Sequence, residues 1–217
     1  MMHLKANRIF LESATRDFKR TGAVAPSSRA LAEAMTRELA RRDRGTVSVL
    51  EAGGGTGSIT REIARHLSHG DHLDVYEINS AFAWLIGQRL REDEAFRVEA
   101  TMRVHNHAIE NVERARRYDF VISGLPFNNF EPDTVREIFE IFRRVLKPGG
   151  ICSFYEYIFA RGAAKIIAGK PAERERVDGV GRVVKKYVNR YEYRREIVLR
   201  NLPPALVHHI RFDLWSD

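Results

Sequence analysis

The chain has 217 residues, 44% of them hydrophobic and 30% charged, long enough for one domain with a sizeable core and short for two. Its net charge is +7 and it has one cysteine, Cys152, which excludes an internal disulfide and a cysteine-rich metal site and fits a reducing cytosol. No run approaches the roughly 18 to 20 apolar residues of a membrane span, and "MMHLKANRIF" lacks the apolar core of a signal peptide, so the expectation is a protein neither secreted nor membrane-spanning.

Taken in order, the chain opens on a segment from His3 to Arg20 in which Leu4, Phe10, Leu11, Ala14 and Phe18 fall on one helical stripe, with Lys5, Arg8, Arg16, Lys19 and Arg20 as cations. That is the pattern of an interfacial amphipathic helix, with Phe10, Phe18 and the five cations as its expected membrane-binding residues. A helix packed on the core has the same moment, and the moment alone does not separate the two. "GAVAPSSRALAEAM" follows, where Ser27 or Ser28 can cap a new helix.

The body alternates strands and helices, which predicts a parallel α/β sheet covered on both faces. "TVSVLEAG", "DHLDVYEIN", "MRVHNHA", "YDFVISG" and "GICSFYEYI" read as five strands. Val135, Ile138, Phe139, Phe142, Val145 and Leu146 mark one clear helix, stopped by "KPGG". "YEYRREIVL" alternates, with Tyr191, Tyr193, Ile197 and Leu199 expected on one face and Glu192, Arg194, Glu196 and Arg200 on the other. After "NLPP", "ALVHHIRF" gives a last strand, expected to form an antiparallel pair with it.

"VLEAGGGTG" places Glu51, Gly53, Gly55 and Gly57 at the end of the first strand, where a ligand must approach the backbone closely. A glycine-rich turn alone is weak, since dinucleotide folds share it. Glu77, twenty positions after Gly57 at the end of the second strand, sharpens it, because a carboxylate there can accept both hydroxyls of a ribose.

The charge is uneven. From Arg161 to Arg200 there are twelve cations against five acids, which equals the whole excess. Such a segment attracts nucleic acid or an anionic membrane, and charge alone does not choose between them or exclude a merely solvated face.

Together, Glu51 with its glycine turn, Glu77 and "LKPGG" resemble the class I S-adenosylmethionine-dependent methyltransferases over about residues 45 to 157. The resemblance implies a Rossmann-like sheet, S-adenosylmethionine as cofactor and S-adenosylhomocysteine as product. It sets Glu51 and Gly53 to Gly57 around the methionine part and Glu77 on the ribose, with Ile78 against the adenine. Where the family often has an aspartate for the adenine amino group, "HNHAIENV" offers His107, with Ala108 beside it.

"SGLPF", Ser123 to Phe127, is similar to the Asn-Pro-Pro-Tyr corner of enzymes that methylate nucleobase amines. It keeps Pro126 and Phe127 but has Ser123 in place of the asparagine, so its grip on a planar base is weaker. In order, "TGAVAPSSRALAEAM", "SGLPF" and "NLPPALV" resemble bacterial phospholipid N-methyltransferases, which act on phosphatidylethanolamine at the membrane surface. The nearest pattern beside it, the ribosomal RNA adenine dimethyltransferases, usually has a further helical domain, for which this chain leaves no room; nucleic acid is therefore not the expected partner. The resemblance implies a phospholipid amine as acceptor, oriented by carbonyls of Gly124 and Leu125. Glu156 or a tyrosine helps take the proton, and Tyr155, Tyr157 and Phe127 form an aromatic wall for the methylated cation. Alternation along the strand turns Glu156 away from the two tyrosines. Residues 1–24 are then a membrane-associating segment and 25–217 a single methyltransferase domain, peripheral on the inner face of the cytoplasmic membrane, with no obligate protein partner and an ornithine lipid as the other acceptor.

Overall fold

A computed structural model that describes residues 27–43, 45–113, 117–158 and 171–212 shows, among them, one seven-stranded sheet. The N-terminal cations and aromatics Lys5, Arg8, Phe10, Arg16, Phe18, Lys19 and Arg20 lie outside the described residues, as do Arg161, Lys165 and Lys170.

Helix α1, Arg29–Met35, is capped by Ser28, whose side chain accepts from the Leu31 amide, and the short α2, Arg37–Ala40, follows. Strand β1 (Ser48–Ala52) leads to α3 (Ser58–Ala64), β2 (His72–Tyr76), α4 (Ser80–Glu92), β3 (Thr101–His105) and β4 (Tyr118–Ser123). Then come α5 (Pro132–Val145), β5 (Leu146–Tyr157), α6 (Pro171–Tyr191), β6 (Glu192–Val198) and β7 (Ala205–Ile210). Strand β1 pairs in parallel with both β2 and β4, and β7 is antiparallel to both β5 and β6. The sheet order is β3-β2-β1-β4-β5-β7-β6; it reverses at β1, so the crevice of this open sheet lies beyond the carboxyl ends of β1 and β4.

Two apolar clusters cover the sheet. One joins Phe139, Phe142 and Tyr187 of α5 and α6 to Phe154; the other joins Leu31 and Met35 of α1 to Ile63, Val75 and Ile86. The helix read from Val135, Ile138, Phe139, Phe142 and Val145 is α5, with all five buried; Leu146 instead opens β5.

One expectation is corrected here: Tyr191 ends helix α6 and is not in a strand. Within β6 the expected alternation holds, with Tyr193 and Ile197 exposed on one face and Arg194 and Glu196 turned toward β7 and α2 on the other; Leu199 and Arg200 lie past its end and are both exposed. Arg194 meets Glu38 at 3.3 Å and Glu196 at 3.4 Å, and Glu196 meets the buried His209 at 3.5 Å. Period-two alternation finds a strand, but buried partners decide which side faces in. Here His208, His209 and Glu38 supply polar partners to an edge strand, so its charges are retained inside.

The basic segment is in part a helix. Val177, Val180, Val183, Val184 and Tyr187 of α6 recur at helical spacing and are buried, and Arg174, Arg182, Lys185, Lys186 and Arg190 stand on its exposed face.

Candidate active site

The ends of three strands are drawn together by backbone bonds that continue past them. The Gly53 amide donates to the Tyr76 carbonyl at 2.8 Å and the Gly124 amide to the Ala52 carbonyl at 2.8 Å. Gly53, Gly55 and Gly57 all have positive φ, a left-handed conformation in which a side chain would be strained. Gly124 is required for another reason: a Cβ there would sit 2.6 Å from the Gly53 carbonyl oxygen.

Glu77 closes the turn. Its Oε2 accepts from the Gly55 amide at 2.8 Å and its Oε1 from the Asn79 amide at 2.7 Å. Burial raises its pKa, and these amides oppose the rise. The Asn106 side chain donates to the Glu77 and Ile78 carbonyls, fixing the backbone on which both residues ride.

Glu51 is fully buried at the start of the turn. Neither of its carboxylate oxygens, nor the Thr60 hydroxyl, makes a well-formed hydrogen bond among the described residues. Burial raises its pKa to about 8, opposed by the polar pull of Thr60 and reinforced by Glu77. An acid so weakly compensated is costly to ionise in place.

Between these elements lies a cavity of about 180 Å³. Gly53, Gly55, Glu77, Ile78, His107 and Ala108 line one side, and Gly124, Leu125, Pro126, Tyr155 and Tyr157 line the other. These eleven sequence-predicted residues thus converge on one cavity from the ends of β1, β2, β3, β4 and β5. The two tyrosine rings stand edge to face at 5.1 Å with their hydroxyls 3.5 Å apart. Burial and the neighbouring Tyr157 push the Tyr155 hydroxyl well above its ordinary pKa, so it is a neutral donor at physiological pH.

Five expected residues do not line the cavity. Glu51 and Gly57 support the turn from behind it. Ser123 is buried, its hydroxyl 3.4 Å from the Leu125 amide. Phe127 is buried against Phe139 and Phe154, with ring centroids at 5.2 and 5.6 Å. It is core, not part of an aromatic wall, because the 3-10 turn Phe127–Asn129 rolls its ring under the corner. Glu156 faces the opposite side of β5, 3.5 Å from His208, as alternation requires; it is not at the acceptor side.

Reasoning from sequence missed Glu110. It lines the cavity from the 3-10 turn Ile109–Asn111, with its pKa raised by burial and by Glu137. The signal was its position three residues after His107, one such turn further on. Ser27, read from the sequence only as a candidate helix cap, also lines the cavity, as do Asn129 and Phe130. Among the described residues no group of His, Cys, Asp and Glu could hold a metal ion, and no helix is long and apolar enough to cross a membrane.

Residues 49–150 match the family described as "Methyltransferase domain". Over 130 residues the chain is 32% identical to an ornithine lipid N-methyltransferase from Singulisphaera acidiphila, a match spanning 58% of this chain and 65% of that relative's length. Among solved structures, the O-methyltransferase TomG from Streptomyces achromogenes, in complex with S-adenosylmethionine, superposes with a TM-score of 0.60 at 18% identity, covering 93% of this chain and 88% of that one. The O-methyltransferase from Bacillus cereus, in complex with S-adenosylhomocysteine, gives 0.57 at 16% identity over 93% and 90%. These two share the fold. The chain thus carries, over residues 49–150, a match to a methyltransferase domain on the α/β Rossmann-like fold of these two enzymes.

Proposed function

We propose that the chain transfers methyl groups from S-adenosylmethionine to the amine of a membrane lipid. The observation that carries this reading is one cavity that joins the glycine turn and Glu77 to the Gly124–Pro126 corner and to Tyr155 and Tyr157. Bound there, the cofactor supplies an electrophilic methyl on a sulfonium, and the protein's task is to hold a neutral amine in line and exclude water.

On the cofactor side, Glu77 takes the ribose hydroxyls, Ile78 and Ala108 flank the adenine, and Glu51, behind the glycine turn, acts on the cationic end through its charge alone. Glu110 supplies the carboxylate for the adenine amino group, beside His107. On the acceptor side, carbonyls of Gly124 and Leu125 orient the amine. Removal from water favours its neutral form. Tyr155 and Tyr157 give a methylated ammonium, which cannot donate hydrogen bonds once it is quaternary, a face to stack on. The proton leaves by way of water at the cavity mouth, since Glu156 lies across the sheet.

Phosphatidylethanolamine is the acceptor suggested by the order of "APSSRALAEAM", "SGLPF" and "NLPPALV", with methylation through mono- and dimethyl intermediates toward phosphatidylcholine. An ornithine lipid is the second reading, favoured by the 32% identity to an enzyme of that name. Either acceptor requires a peripheral protein at the cytoplasmic face of the membrane, with residues 1–24 as a membrane-associating segment beside a single methyltransferase domain. The test is expression in a host that makes phosphatidylethanolamine but not its N-methylated forms, with and without added ornithine lipid synthesis, followed by mass spectrometry of the lipids. Methylated phosphatidylethanolamine supports the first acceptor and methylated ornithine lipid the second. An unchanged lipid profile from soluble, cofactor-binding protein would contradict both.

A further inference from the structure

The turn between β6 and β7 has a composition that the methyl-transfer chemistry does not use. Leu199 is 73% exposed and Leu202 is 85% exposed, and Ile197 at the end of β6 is 66% exposed. Arg195, Arg200 and Pro203 are exposed beside them. Several large aliphatic side chains in water at one convex tip are unusual for a surface turn, since such turns are normally polar.

The tip is built from inside. Asn201, between the two leucines, is buried. Its Nδ2 donates to the Pro203 carbonyl at 2.7 Å, and its Oδ1 accepts from the Ser28 amide at 3.0 Å. Ser28 is the cap of α1, and Ser27 beside it lines the cavity. From the other side, Tyr157 is in register with Ala205, and the Ile158 amide donates to the Pro204 carbonyl at 2.8 Å. The leucine tip is therefore fixed to the same end of the sheet as Tyr155, Tyr157 and the cavity mouth.

We propose that the β6–β7 turn, with Leu199 and Leu202 at its tip, is a membrane-docking element that seats the cavity mouth against the lipid interface. The inference rests on the lipid-amine reading above: an acceptor whose acyl chains stay in the bilayer can offer its amine only to a mouth held at the headgroup level. Two features favour lipid over a protein partner. The apolar residues protrude on a short turn, and Arg195 and Arg200 flank them, as expected where aliphatic groups enter an anionic interface and guanidiniums stay at the phosphates.

The test uses the full chain and vesicles of phosphatidylethanolamine with phosphatidylglycerol. The double variant Leu199→Ser, Leu202→Ser should bind vesicles about tenfold or more weakly, from the loss of buried aliphatic surface, with S-adenosylhomocysteine affinity and melting temperature unchanged. An environment-sensitive dye on Leu202→Cys should shift to the blue when vesicles are added; Cys152 is fully buried and takes no label. A dye spectrum that does not move overturns the proposal whatever the sedimentation shows. So does a dimer of the wild type that the double variant abolishes while vesicle binding is kept, which would assign the tip to a second copy. Methyl transfer to phosphatidylethanolamine in detergent micelles separates this failure from that of the activity. Transfer in micelles with an unmoved dye sinks the docking tip alone, and no transfer to any amino lipid sinks the reading beneath it.

Discussion

The Glu77 carboxylate accepts the Gly55 amide at 2.8 Å, so the acid that ends β2 shapes the glycine turn that ends β1. One residue thereby sets both the turn and the polar floor of the cavity. Replacing it, Glu77→Ala, removes charge-assisted hydrogen bonds. We expect S-adenosylhomocysteine affinity to fall roughly 10- to 100-fold by calorimetric titration. An affinity within twofold of the wild type would count against the assignment.

The proposed cofactor site carries a pH prediction through Glu51. Burial holds its pKa at about 8 in the free protein. A cation bound in the cavity on the other side of the glycine turn would favour the carboxylate, so binding should release a proton and S-adenosylmethionine affinity should rise as pH goes from about 6 to about 8. Glu51→Gln should flatten that rise, read as affinity against pH and as protons released in buffers of different ionisation enthalpy. The same shift acts on folding. A carboxyl whose folded pKa lies above its unfolded value destabilises the fold progressively as pH climbs from 4.5 toward 8. Glu51→Gln should therefore stabilise the free protein at neutral pH, by an amount on the order of 1 kcal/mol once the poorly partnered amide is allowed for.

Gly124 predicts a steric result. In Gly124→Ala the new methyl meets the Gly53 carbonyl at 2.6 Å, and neither backbone can yield without disturbing the ladder between β1 and β4. A loss of about 1–3 kcal/mol in denaturant unfolding is expected, together with weaker cofactor binding. A variant as stable as the wild type would show that this strand junction has slack the geometry does not suggest.

How much of this was legible in the sequence follows from which signals are local. Gly53, Gly55, Gly57 and Glu77 could be read because a strand end followed by glycines, with an acid one strand later, is a pattern along the chain. Helix α5 could be read because Val135 to Val145 repeats at helical period. Helix α6 was hidden, since Gly179 and Gly181 interrupt its apolar repeat and its many charges drew attention to electrostatics. The orientation of β6 was not local either: Arg194 and Glu196 face in because His209 and Glu38 wait there, and those partners come from other elements. Phe127 and Glu110 failed in opposite directions for the same reason, because a single 3-10 turn decides which neighbouring side chain enters a cavity and which enters the core.

A substitution at Tyr157 tests the proposed acceptor side apart from the cofactor side. Tyr157→Ala should lower kcat/KM for the lipid roughly tenfold while S-adenosylhomocysteine affinity stays unchanged. It should also shift products toward the less methylated lipid, because the bulkier cations gain most from an aromatic face. Equal losses for every methylation step would mean that the ring only shapes the cavity.

The most direct measurement is transfer of labelled methyl from S-adenosylmethionine by the purified chain, with vesicles of phosphatidylethanolamine, vesicles of ornithine lipid and total RNA offered in parallel. Label in N-methylated lipid is the predicted result. Label confined to RNA, or in none of the three while S-adenosylmethionine binds, would contradict the lipid-amine assignment.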